Sequence, residues 1–170
     1  MLLYCFAVAL ATGGFLAVFY TPSGELVAYD GGYEPLRGMS MSAAYSSILD
    51  ISLDVRGGLF VRQLHHTSSI LLSVGAVVWL VLGRFRFALA VVGLALISAL
   101  AGYGAADDLL TGTFLAKVPA AWWYGLHLLS ALAAGGMLVA SSRREAVRNP
   151  RTIQFVALSL GLTAAAFLVR

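Results

Sequence analysis

Five stretches of at least 18 residues in this 170-residue chain contain no Asp, Glu, Lys or Arg: Met1–Gly24, Gln63–Gly83, Phe87–Ala106, Val118–Ser142 and Thr152–Val169. The hydrocarbon core of a bilayer takes about 20 apolar residues of helix per crossing. Inside it the backbone must satisfy its own hydrogen bonds, which a helix does without a partner. The chain is therefore expected to be an all-α membrane protein with helices near Leu2–Tyr20, Leu59–Leu82, Phe87–Tyr103, Pro119–Ala140 and Thr152–Val169. Its 60% hydrophobic and 11% charged residues exclude an ordinary soluble domain. A secretory signal peptide needs basic residues ahead of its apolar run. Met1–Gly24 has none, so the first stretch is expected to persist as a helix.

Charge carries topology here. A net charge of +3 is too small and too segregated to point to nucleic acid. Arg84 and Arg86 follow the second stretch, and Arg143, Arg144, Arg148 and Arg151 follow the fourth, opposed only by Glu145. The other side collects Glu25, Asp30, Glu34, Asp50, Asp54, Asp107 and Asp108, with Arg37, Arg56 and Lys117. The positive-inside rule then puts the N-terminus in the cytoplasm and both segment 21–57 and the C-terminus outside. Segment 21–57 is too long for a turn. Its mildly amphipathic run Met41–Leu53 is predicted to be a short helix on the outer surface.

All three histidines, His65, His66 and His127, fall inside the predicted spans. The second and fourth spans both run from outside to inside, and His65 and His127 each lie roughly 10 Å below the outer boundary at 1.5 Å per residue. Two parallel helices presenting imidazoles at one level can supply both axial ligands of a b-type haem. Equally, each imidazole can hydrogen-bond to a neighbouring helix or face a polar cavity. His65 and His66 point about 100° apart, so at most one of them ligates. Gly13 on the first span and Gly102 on the third fall at the same depth, where they permit close approach of a flat macrocycle or serve as ordinary packing residues. Arg62, one turn outward from His65, is placed to bind a propionate or to snorkel to the interface. The single cysteine, Cys5, excludes an intramolecular disulfide and a thiolate cluster built by this chain.

The run DVRGGLFVRQLHH (Asp54–His66), with ATGGFLAVFYTPS (Ala11–Ser23) and YEPLRGMSMSAAYSSILDIS (Tyr33–Ser52) before it, resembles the N-terminal part of cytochrome b of cytochrome bc complexes, closest in flavour to the actinobacterial menaquinol–cytochrome c reductase subunit. GYGAADDLLTGT (Gly102–Thr113) is similar to the end of that family's third helix, and the likeness spans roughly residues 1–140. It implies a four-helix haem-binding bundle over residues 1–142; charge and hydropathy add a basic cytoplasmic loop and a fifth transmembrane helix over residues 143–170. It implies an outer haem on His65 and His127, with Gly13 and Gly102 beside it and Arg62 near a propionate. His66 is then a neighbour.

The family carries a second haem on histidines fourteen residues further along, about 21 Å away. At those positions stand Trp79 and Ser141, with Ala88 in place of a glycine fourteen before Gly102 and no residue fourteen before Gly13. One haem b is therefore expected, with Trp79 filling part of the vacated volume. The family's Pro-Glu-Trp-Tyr type motif does not occur in these residues, so a complete quinol oxidase is not expected from this chain alone.

The main expectation is a monohaem membrane cytochrome, a subunit of a larger oxidoreductase in the bacterial cell membrane. It passes electrons between an outer-face redox protein and a quinone, menaquinone in the branch it resembles. The alternatives are half of a split cytochrome b, completing a quinol site with another subunit, and a haem-free structural subunit. Trp122, Trp123 and Tyr124 are expected at the interface, Asp107 and Asp108 as solvated loop carboxylates, and Cys5 as a packed thiol. Thr67, Ser68 and Ser69 are expected to bond back to helix carbonyls. The fifth span, without ligand-type residues, is expected to serve packing or partner docking.

Overall fold

The computed structural model describes residues 1–82, 86–106, 113–148 and 152–168. Six helices dominate: α1 (Leu2–Phe19), α2 (Ala43–Leu53), α3 (Gly58–Leu82), α4 (Arg86–Ala106), α5 (Ala120–Arg148) and α6 (Ile153–Leu168). Among the described residues, α1, α3, α4 and α5 are long and apolar enough to cross a membrane. The protein is thus a multi-pass α-helical membrane protein. The 16 residues described for α6 fall short of that length, where a fifth full span was expected.

The most extensive helix contacts join α4 to α5 and α1 to α3, with α3 against α4 forming a smaller interface and α1 against α5 a slight one. α3 and α5 thus lie diagonally across the bundle. The C-termini of α1 and α4 and the N-termini of α3 and α5 meet at one end, with residues 21–57; this is called the loop end. Phe167 of α6 shares a small cleft with Phe60 and Leu64 of α3, so the C-terminal end of α6 also lies there.

Segment 21–57 is more ordered than its composition implies. Strands β1 (Leu26–Ala28) and β2 (Ser40–Ser42) pair antiparallel in the register Leu26↔Ser42, Val27↔Met41, Ala28↔Ser40. Three-residue strands without an Asn-Gly turn leave little trace in sequence, and the pairing was not anticipated. The expected helix is present as α2. It starts where the Ser42 hydroxyl accepts from the Tyr45 N–H at 3.1 Å, satisfying one free amide of the first turn. Buried Ala44, Ile48 and Ile51 form its inner face.

The Arg56-Gly57-Gly58 sequence turns α2 into α3. Gly57 has φ +78°, a conformation open to glycine, and a side chain on Gly58 would collide with the Ile51 carbonyl. Two helix ends differ from the sequence reading. α4 runs three residues past Tyr103, and α5 continues from Ala140 to Arg148. Hydropathy marks where the membrane stops, whereas Ser141–Arg148 contains no residue that ends a helix before Asn149-Pro150.

The interior is layered. Away from the loop end, Cys5, Leu72, Ala76, Val91 and Leu138 form a buried core, with Trp79, Phe6 and Met137 packed against it. At the loop end, Ala101, Ala105 and Trp123 form a second core with Tyr20, Leu115 and Tyr124 around it. The histidines lie between the two.

Candidate functional site

His65 stands seven residues into α3 and His127 seven residues into α5, so parallel helices that start together bring both imidazoles to one level. Their ring centroids are 6.1 Å apart with the planes inclined at 66°. An imidazole reaches a metal at about 2 Å, so two rings on one ion from opposite sides place their centroids about 6 Å apart. The observed spacing meets that requirement.

Each ring is held by the helix next to its own. His65 Nδ1 lies 3.0 Å from the Ala9 carbonyl oxygen and 3.1 Å from Thr12 Oγ1, both on α1. His127 Nδ1 lies 2.8 Å from the Ser98 carbonyl oxygen and 3.2 Å from Ser98 Oγ, on α4. A carbonyl oxygen only accepts, so Nδ1 carries the proton in both rings and Nε2 keeps its lone pair. This is the arrangement found around metal-bound histidine, whose other nitrogen donates to a carbonyl or carboxylate. The donor set therefore fits a bis-imidazole iron centre.

Gly13 and Gly102 lie where expected in depth but face the imidazoles themselves. A Cβ on Gly13 would stand 3.0 Å from His65 Cε1, and one on Gly102 would stand 3.2 Å from His127 Nδ1. The glycines let α1 and α4 come close enough for the carbonyl anchors. Arg62, half-buried, donates from Nη1 to Ser52 Oγ at 3.1 Å and so ties α3 to α2. His66 points elsewhere: its Nε2 and the Tyr103 hydroxyl are 2.8 Å apart, joining α3 to α4.

The level of the family's second haem has no imidazole pair. Trp79 packs against the core of Cys5, Leu72, Val91 and Leu138, and Ala88 is fully enclosed. Cys5 is buried, as a packed thiol should be. Ser68 and Ser69 both donate to the His65 carbonyl at 2.8 Å, the back-bonding anticipated for them. The aromatic trio divides. Trp122 is 74% exposed, whereas Trp123 is 8% exposed and rests on Gly104, a core residue instead of an interfacial one. Tyr124 packs on Tyr20 with centroids 5.1 Å apart. Asp107 and Asp108 lie outside the described residues.

Sequence reasoning missed the anchors Ala9, Thr12 and Ser98. Two of the contacts are backbone carbonyls, which any residue supplies, but the hydroxyls at Thr12 and Ser98 were available as a signal.

No family model matches the chain. Curated relatives do. The chain is 45% identical over 122 residues, 65% of its length, to the cytochrome bc1 complex cytochrome b subunit of Mycobacterium tuberculosis. It is 41% identical over 123 residues to the subunit of that name from Streptomyces coelicolor. Over 147 residues, 78% of its length, it is 39% identical to that of Corynebacterium efficiens. These matches bear out the resemblance to actinobacterial cytochrome b. The chain spans 22–25% of the length of these relatives.

Proposed function

We propose that this homologue of actinobacterial cytochrome b is a monohaem b-type membrane cytochrome. His65 and His127 would hold the iron through Nε2, with Gly13, Gly102 and Arg62 around the site. The observation carrying this reading is the pair of imidazoles, 6.1 Å apart, each with Nδ1 donated to a carbonyl of the neighbouring helix. A haem bound there supplies one-electron redox chemistry, and the protein's part is position and electrostatics.

α1 and α4 orient the two rings, and apolar cores flank the level between them on either side. The filled core around Trp79 supports a single haem. One haem near one membrane face does not connect the two faces, so electron transfer is confined to the loop-end half. The exchange would run between a redox protein docked at that end and a quinone, menaquinone by analogy with the branch resembled. The other subunits of a larger oxidoreductase in the bacterial membrane would complete the quinone site. The distribution of arginine and carboxylate supports a cytoplasmic N-terminus and an outer loop end.

Reduced-minus-oxidised difference spectra of the purified chain, with haem quantified per polypeptide, test this reading. One b haem per chain is expected, and its loss in His65→Ala and in His127→Ala. A wild-type protein without b-type absorption, favouring a haem-free structural subunit, overturns it. So does full haem content in His127→Ala.

A further inference from the structure

Both imidazoles are gripped in the same way, by a carbonyl and a hydroxyl from one turn of the adjacent helix. The two grips differ in their hydroxyls. Thr12 Oγ1 lies 2.7 Å from the Val8 carbonyl oxygen and 3.1 Å from that of Ala9. Its single proton is therefore committed within α1, and toward His65 the oxygen can act only as an acceptor. Thr12 is 8% exposed, buried between α1 and α3. The His65 Nδ1–H is thus shared between two acceptors at nearly equal distance, the Ala9 carbonyl at 3.0 Å and the Thr12 hydroxyl at 3.1 Å. Ser98 Oγ is looser. It lies 3.4 Å from the His127 carbonyl and 3.2 Å from His127 Nδ1, while the Ser98 carbonyl at 2.8 Å is the main acceptor.

Resting on the haem reading above, we infer that Thr12 is a positioning residue for His65. It sets the imidazole plane and draws electron density onto Nε2 through the second acceptor at Nδ1, and Ser98 has the same but weaker part toward His127. The physical basis is general. An acceptor at Nδ1 gives imidazole some imidazolate character, makes Nε2 a stronger donor and favours the ferric over the ferrous ion. Removing one of two acceptors lowers that character and raises the midpoint potential. The remaining Ala9 carbonyl keeps the proton on Nδ1, so the tautomer is retained and haem binding with it.

The test uses the full chain with haem bound. Thr12→Val removes the acceptor at nearly constant volume, and Thr12→Ser keeps it. Redox titration is expected to show an upward shift of the midpoint potential in Thr12→Val, because losing an acceptor at Nδ1 makes the imidazole a weaker donor to the ferric ion. The low-spin ferric EPR signal is expected to shift with it, and Thr12→Ser is expected to restore both. Unchanged potential and EPR in Thr12→Val overturn the inference. If Thr12→Val does not accumulate in membranes, Ser98→Ala, which keeps its carbonyl anchor, decides instead: an upward shift relative to wild type supports the inference and no shift overturns it. Failure of the underlying haem reading is distinguishable, because the wild-type chain itself would then lack a b-type spectrum.

Discussion

At the scale of single residues, the site rests on small differences in space. A Cβ at Gly13 would press on His65 Cε1 at 3.0 Å, whereas one at Gly14 would meet nothing within 4 Å. Gly13→Val and Gly14→Val thus make a matched pair with the same loss of a glycine but opposite surroundings. Overpacking against a fixed ring costs about 1–3 kcal/mol. Haem quantification is expected to show about tenfold weaker retention in Gly13→Val and wild-type content in Gly14→Val. The histidines and these glycines were legible in the sequence, because counting residues from the ends of apolar stretches measures depth. Direction was not. Whether His65 turns toward α1 or into the bundle depends on the Ala9 carbonyl, which has no residue-type signature, and the hydrogen bonds to neighbouring helices weighed as the alternative are present at Nδ1 of both rings.

Among the elements, α2 and the hairpin before it carry the clearest pH dependence. Asp50 Oδ1 is buried without a hydrogen-bond partner. Burial pushes the Asp50 carboxyl above its ordinary value, with Asp54 and Asp30 adding like charge. A raised native pKa means that, above the ordinary carboxylate range, the folded segment holds its proton more tightly than the unfolded one. Stability from this group is therefore present in acid and is lost as pH rises through the raised value. Asp50→Asn removes that dependence. Thermal unfolding is expected to show the variant more stable than wild type at pH 7, with the advantage gone near pH 4, whereas an equal shift at both values would contradict the assignment.

The sequence showed α2 through the mildly amphipathic run Met41–Leu53, but not the turn at Arg56-Gly57-Gly58 or the strands, whose three pairs hold too few residues to alternate visibly. It also set the end of α5 eight residues early, since loss of hydropathy at Ser141 is a property of the solvent and not of the helix.

For the whole molecule, the question is why one level is kept for imidazoles and the other is closed. Depth below the outer boundary located His65 and His127, and the family's fourteen-residue spacing counted from them led to Trp79 and Ser141, a comparison available from sequence alone. What filled the space was not. Cys5, Leu72, Ala76, Val91 and Leu138 come from four different helices, and their convergence depends on tertiary packing. Because the volume is occupied by close-packed side chains, restoring ligands alone does not reopen it. The double variant Trp79→His/Ser141→His is expected to bind no more haem per chain than wild type, measured by haem-to-protein ratio. A doubled ratio would show that the missing imidazoles were the only obstacle.

The pairing of helices also bears on assembly. His65 is oriented by α1, its main packing neighbour, and His127 by α4, so each ring takes its direction from within its own two-helix leaf. The smaller α3–α4 interface binds the leaves like the spine of a book. Opening that book would alter the gap between the imidazoles without turning either one, and under the proposed function a guest slipped between the pages would find both rings already held.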